Sequence, residues 1–348
     1  MNAIRGAWLF SRRIDLAVFV GPALLALALI PFAPSSGELP EWGWIFAVLL
    51  VDVAHVWSTA FVTYLDPAEL RRRPARYVIV PIVGWLAGVA LYACGPLVFW
   101  RALAYLAVFH FIRQQYGWVM MYRARAGERD RVGRALDGAT VYLATIYPLL
   151  WWHARLPRRF WWFVDGDFAP GVPRALATVA GVVYAALSIV YVVRAARGPR
   201  NWGKHAVVAT TAVCWYAGIV ATDSDYAFTI TNVLLHGVPY MALVFVYARS
   251  LARVDRDTAR GAGAQLLAHG VLVFLATLWA AAFLEELIWD RAVWHDRAWL
   301  FGAGLDRASW HVWLVPLLAV PQLTHYVLDG FLWRRRSNPR LATALRSP

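Results

Sequence analysis

Residues 226–249 read YAFTITNVLLHGVPYMALVFVYAR, and before Arg249 this stretch carries no Asp, Glu, Lys or Arg. About 20 apolar residues rising 1.5 Å each cross a hydrocarbon layer roughly 30 Å thick. A helix can do so because it satisfies its own backbone hydrogen bonds, which lipid cannot. Near the middle sits His236, with Asn232 four residues before it. The same combination recurs in three other apolar stretches. VDVAHVWST holds His55 with Asp52, AVFHFIRQQYG holds His110 with Gln114, and LTHYVLDGFLW holds His325 with Asp329. Spacings of three or four residues place each pair on one helix face. An ionisable group inside a membrane helix is costly, so each histidine is a functional-site candidate.

The whole chain follows this pattern. Of its 348 residues 60% are hydrophobic and only 16% charged, where a soluble domain has about 25% charged residues. The 20 Trp and 15 Tyr suit the aromatic belts at membrane interfaces. A net charge of +13 raises nucleic acid as a partner. The arginines cluster at segment ends, however, where the bias of cytoplasmic loops already accounts for them, so nucleic-acid binding is not expected. Cys94 and Cys214 lie in apolar segments, which argues against a disulfide framework or a cysteine zinc site. The N-terminal run has the charge pattern of a signal peptide but no clear small-residue cleavage site, and it reads as a retained first helix.

Ten apolar segments can be marked, at 15–32, 44–65, 77–94, 96–122, 139–153, 175–195, 205–222, 226–249, 263–286 and 310–332. The expected fold is therefore all-α: one polytopic transmembrane domain spanning 1–348, with short loops. Loops 66–76, 123–138, 194–204 and 249–260 are rich in arginine, and the tail adds Arg334, Arg335 and Arg336. Loop 33–43 carries Glu38 and Glu41, and 223–225 reads Asp-Ser-Asp. Ten spans put every rich loop and both termini on one side, the cytoplasm, as in a bacterial inner membrane. Loops 154–174 and 287–309 break the pattern with Arg155, Arg158, Arg159, Arg174, Arg291, Arg297 and Arg307. Both are rich in aromatic residues and are expected to lie along the interface.

In this topology segments two, four, eight and ten run in one direction. His55, His110, His236 and His325 then lie roughly 10–20 Å from the cytoplasmic ends of their helices, close enough in depth to converge. Pro239 and Pro321 flank two of them and loosen the backbone there. Neutral imidazole is the commonest protein ligand of transition metals, and its second nitrogen is usually held by a carboxylate or carbonyl. Asp52, Gln114, Asn232 and Asp329 are groups of that kind. A same-helix partner cannot always reach the ring, and can instead hold a histidine of a neighbouring helix. The simpler alternative is four core histidines, each bonded to the next helix.

The other histidines carry less. His153, His205, His295 and His311 fall at segment ends or in loops, while His269 lies seven residues into segment nine and is a further candidate. Arg113 needs a carboxylate, carbonyl or aqueous cavity; Asp52, Asp66 and Asp329 are candidates, with an anionic headgroup as the functional alternative. Glu285 and Glu286 read as caps at the membrane edge, and Asp137 as a solvated loop residue. No phosphate-binding glycine loop, His-Glu-x-x-His or Gly-x-Ser-x-Gly motif is present, nor are the paired histidines of membrane di-iron enzymes. A mononuclear metal or a haem remains.

His236-Gly237 in LLHGVPY, His110-Phe111 in VFHFIRQQYG and the His-x-x-x-Asp of His325 and Asp329 resemble the Brp/Blh-type bacterial membrane β-carotene dioxygenases. There, helix-borne histidines hold one Fe(II) that cleaves a carotenoid with O₂. The chain departs from that family's His-Gly-x-x-Asp element, since position 240 is Tyr240 and the four histidines lie on four segments. The resemblance implies an all-histidine iron site more than it implies carotenoid.

The expected function is a membrane metalloenzyme, a non-haem iron oxygenase acting on a lipid or isoprenoid that enters from the bilayer. His55, His110, His236 and His325 would bind the metal. Asp52 and Asp329 would orient ligands or relay protons, with Gln114, Asn232 and Arg113 supporting ligands or substrate. The alternatives are an electron carrier with haem b between two histidines, and a proton-coupled transporter. The arginine bias makes one direct prediction. Single cysteines placed in loops 66–76, 123–138 and 249–260 should react with impermeant reagents from the cytoplasmic side only. Labelling of any of them from outside breaks the ten-span arrangement.

Overall fold

A computed structural model describes residues 8–305, 308–334 and 338–341. Arg307, Arg335, Arg336 and the extreme termini, on which part of the topological expectation rested, lie outside the described residues. Among the described residues all regular structure is helical. Nine helices are long and apolar enough to cross a membrane. They are α1 (Arg12–Phe32), α2 (Glu41–Val62), α3 (Pro74–Ala93), α4 (Pro96–Ala126), α6 (Arg174–Arg197), α7 (Trp202–Ala221), α8 (Asp225–Val254), α9 (Val271–Trp294) and α10 (Ala308–Leu332). The remaining long helix, α5 (Arg131–His153), is the expected fifth segment. Its first two turns carry Arg131, Arg134 and Asp137. The purely apolar part is therefore roughly 22 Å long, short of the roughly 30 Å hydrocarbon layer. Among the described residues nine helices thus have the length and composition of membrane spans, and a tenth crossing would depend on α5.

Segment nine starts later than its hydropathy indicates. A short helix, Ala262–Ala268, ends at His269, and Gly270 at φ +98° turns the chain before α9 begins. His269 is therefore an exposed helix-end residue, outside the spanning helix. Glu285 is well inside α9, not at its edge, and accepts a 2.6 Å hydrogen bond from the Trp57 indole.

The chain forms two compact units, one of residues 1–47 and 104–239, the other of 48–103 and 240–348. In the first, α5 packs along α6 and α7, and α7 along α1. Its core gathers Val108, Phe111, Trp152, Phe160, Trp215 and Phe228. The loop after α5 contributes to this core: Phe160 stacks on Phe228 at 4.6 Å, and Asp167 holds the loop by accepting three backbone N–H groups from Trp162, Phe163 and Val164. Burial pushes the Asp167 carboxyl up to about 6, against the pull of those three donors. Close helix approach needs small residues. At Gly218 on α7 a Cβ would come within 2.0 Å of the Thr231 hydroxyl on α8. In the second unit α3 packs along α10 and α9 against α2, with Phe61, Phe274 and Phe245 meeting ring to ring.

Asp137 corrects the sequence expectation. It is 2% exposed and receives Arg123 together with Lys204, the latter at 3.0 Å. Lys204 also reaches Glu128 at 2.7 Å, and Arg123 reaches Glu128 and Asp130. Burial raises the Glu128 carboxyl, but hydrogen bonds from Lys204 and Asn201 and the charges of Lys204 and Arg123 prevail and leave it below its ordinary value. That contribution is present above the unfolded carboxylate pKa of about 4.3 and is lost as pH falls through the lower folded value. Removing Asp137 leaves two buried cations short of an anion, so Asp137→Ala should cost about 3–5 kcal/mol at neutral pH. Thermal unfolding in detergent reads this, and an unchanged midpoint would return Asp137 to solvent.

Candidate metal centre

Each unit buries a pair of histidines. In the first, α4 supplies His110 and α8 supplies His236, 6% and 0% exposed. Their rings meet edge to face with centroids 5.0 Å apart and planes at 79°. Phe111 lies flat on His236 at 3.6 Å and is itself met edge-on by Trp162 at 4.9 Å. Gln114, four residues after His110, donates a 3.0 Å hydrogen bond to the carbonyl of His236. It therefore fixes the neighbouring helix at its histidine. Asn232 does not serve a ring: its amide donates to the Phe228 carbonyl on its own helix at 2.8 Å. Helix α8 passes through Pro239 without a break.

In the second unit, α2 supplies His55 and α10 supplies His325, 2% and 1% exposed. These rings also meet edge to face, with centroids 4.9 Å apart and planes at 81°. Before His55, α2 is wound as a wide π-type helix over Trp44–Val53, a form that often marks functional positions. Asp52 stands 3.7 Å from His55 Nδ1, and Asp329 3.8 Å from His325 Nδ1. Both carboxylates are near their rings but beyond hydrogen-bond length.

A chain of hydrogen bonds does reach His325. Its Nδ1 lies 2.7 Å from the Thr59 hydroxyl, which lies 2.9 Å from the Tyr240 hydroxyl, which bonds to Asp329. Asp329 also receives the Trp333 indole at 3.1 Å. With Asp329 ionised, counting protons fixes the direction. Tyr240 has one proton and gives it to the carboxylate. Thr59 must then donate to Tyr240, so its oxygen accepts from His325 Nδ1–H. In that state the ring hydrogen sits on Nδ1, and Nε2 is the nitrogen that would ligate. This is how a carboxylate orients a metal-binding histidine, here through two hydroxyls.

In each pair, one ligand nitrogen of each ring lies within 4.8 Å of one on the other. Two nitrogens bound to one ion, at bonds of about 2.0–2.1 Å, lie about 3–4 Å apart. A ligating geometry is thus a small inward movement away in either pair. Three of the remaining histidines, His153, His205 and His311, are engaged as side chains of ordinary structure. His153 bonds the Leu149 carbonyl at 2.7 Å and Tyr105 at 3.0 Å, His205 bonds Tyr191 at 2.7 Å, and His311 bonds the Ala292 carbonyl at 2.9 Å. Among the described residues Arg113 pairs with none of Asp52, Asp66 and Asp329. It donates to the Tyr142 hydroxyl and lies 4.9 Å from the Tyr116 ring centre. Asp66 instead receives Arg340 at 2.9 Å.

Thr59 and Tyr240 were not among the residues the sequence singled out. A signal for them exists, since each follows a histidine by four residues, as Gln114 and Asp329 do. No family model, curated protein or solved structure matches this chain.

The chain of hydroxyls predicts the effect of breaking it. Tyr240→Phe should weaken metal binding about 10–100-fold while leaving the protein folded. Thr59→Val should do the same, because it removes the acceptor of His325 Nδ1–H. Metal titration of the purified variants measures this, and wild-type affinity in both would detach the chain from the ligand.

Proposed function

We propose that the two buried histidine pairs together hold one Fe(II) ion, and that the protein is a membrane-embedded non-haem iron oxygenase acting on a lipid or isoprenoid. The observation that carries this reading is the hold on His325, whose Nδ1 lies 2.7 Å from the Thr59 hydroxyl within an almost fully buried pair. A core histidine needs only a partner. A ligand histidine needs its other ring nitrogen held, and the Thr59–Tyr240–Asp329 chain supports the reading by holding Nδ1. Four neutral imidazoles would leave a bound iron with its full charge and with open positions where O₂ and substrate can meet.

The chain's own groups have distinct tasks in this reading. Gln114 positions His236 through its carbonyl, and Phe111 fixes the plane of that ring. Asp329 anchors the hydroxyl chain. Asp52, 29% exposed and 3.7 Å from His55, is placed to orient that ring or exchange a proton near it. Haem b fits either pair poorly. Two axial imidazoles at bonds of about 2 Å put ring centroids roughly 6 Å apart across a macrocycle. The observed rings stand edge to face at 4.9 and 5.0 Å.

Purified protein should contain about one iron per chain and show no haem absorption band. Single replacement of His55, His110, His236 or His325 by Ala should lose the metal, whereas replacement of His153, His205 or His311 should retain it. Asp52→Asn and Asp329→Asn should weaken binding about 10–100-fold. A haem band that disappears in two of the histidine variants would replace this reading with an electron carrier. Folded wild type that takes up none of iron, zinc, copper or manganese would leave the histidines and aspartates as proton sites of a transporter.

A further inference from the structure

The second unit contains a half-enclosed cavity of about 200 Å³ whose inner wall includes His325. Val56 and Ala60 of α2, Pro81 of α3, and Val320 and Pro321 of α10 form most of the rest. All these residues lie within helices that qualify as membrane spans. The space has a backbone cause. Helix α10 is interrupted at Ala319, between its two segments His311–Leu318 and Val320–Leu332, and Pro321 follows at once. A proline there removes a helix hydrogen bond and pushes away the preceding turn.

The surface is almost entirely carbon, and three of its polar side chains are turned to other partners, while the Thr324 hydroxyl is buried. Trp57 gives its indole N–H to Glu285 at 2.6 Å, and Tyr64 gives its hydroxyl to the Tyr77 carbonyl at 2.9 Å. The Thr59 hydroxyl is committed to Tyr240 and His325. No charged side chain lines the space. Water has no partners in such a cavity, and an unfilled one forfeits dispersion contacts. An apolar chain gains those contacts. At about 30 Å³ each, at least about six carbon-sized atoms fit, enough for the end of one chain.

We infer that this cavity binds the end of a single hydrocarbon chain, acyl or isoprenoid, of a membrane-resident molecule and delivers it to His325. The inference rests on the proposed iron site only for its chemistry, since chain binding is read from the cavity alone. It narrows the substrate class: the reacting part is a chain carbon, and the polar head stays outside.

The test uses full-length protein in detergent with two probes, a fatty acid and a linear isoprenoid alcohol, each bearing a diazirine near the chain end. After illumination, labelled residues are mapped by mass spectrometry and iron is measured on the same samples. Label should appear on Val56, Ala60 or Val320 and decline with excess unlabelled chain. Lipid-facing Val182 and Ile189, about two-thirds exposed on α6, should show only uncompeted background. Ala60→Trp and Val320→Phe, which fill the cavity, should abolish the competed label. The probe that labels identifies the acyl or the isoprenoid source. Competed label with no iron in wild type keeps the chain site and removes the oxygenase reading. Absence of competed label with both probes, or label that survives both filling substitutions, overturns the inference, whatever the iron content.

Discussion

A carboxylate in a membrane-crossing helix has to find donors, and Asp329 finds two, the Tyr240 hydroxyl and the Trp333 indole. Hydrogen bonds to a charged group contribute about 1.5–3 kcal/mol each, and an unpaired buried polar group costs a similar amount. Satisfying Asp329 thus fixes Tyr240. Tyr240, having used its proton, fixes Thr59. Thr59 then holds Nδ1 of His325 at 2.7 Å. Helices α2, α8 and α10 are tied by this one chain, which ends on a buried imidazole. In water the same contacts would exchange with solvent and fix nothing.

The helical class and the nine spanning helices among the described residues were legible, because hydrocarbon allows only helices or closed barrels and the apolar runs have helical length. What failed was local in cause. The ninth helix begins after Gly270, whose φ of +98° ends one helix and permits a turn before the next. Hydropathy does not register that turn, because both flanks are apolar. Asp137 read as a loop residue because its neighbours in sequence are arginines. Lys204, which helps to bury it at 3.0 Å, is 67 residues away. Arg113 was expected to need a carboxylate and instead has a tyrosine hydroxyl and a tyrosine face, a pairing that spacing along one helix cannot reveal.

The candidate site shows the same division between near and far. All four histidines were identified by being ionisable in apolar surroundings, and all four are buried. Their helpers were only half found. Gln114 and Asp329 stand four residues after a histidine, and so do Thr59 and Tyr240. The expected partners before the histidines proved different: Asn232 bonds its own helix, and Asp52 stays 3.7 Å from the ring. The working groups cross between helices. Thr59 follows His55 but serves His325, and Gln114 follows His110 but serves His236. One turn of helix sets a polar group beside its histidine without pointing it at that ring, so it meets whatever the neighbouring helix presents at the same level.

This crossed arrangement has a consequence for chemistry in an apolar medium. A charged ligand on an isolated buried ion carries its own desolvation cost, whereas a neutral imidazole does not. Neutrality is secure only if the second ring nitrogen is committed, since a bare imidazole can move its proton from one nitrogen to the other. A carboxylate bonded directly to the ring would commit that nitrogen but would also draw the proton towards itself. Two hydroxyls link Asp329 to His325, so the ring is joined to the carboxyl without bonding to it directly, although the two stand 3.8 Å apart. Trp333 holds the same carboxyl at 3.1 Å, and His325 also lines the largely apolar cavity. For a site proposed to bring iron and a hydrocarbon chain together, the fold thus supplies a hydrogen-bonded hold on the ring and an apolar space beside it.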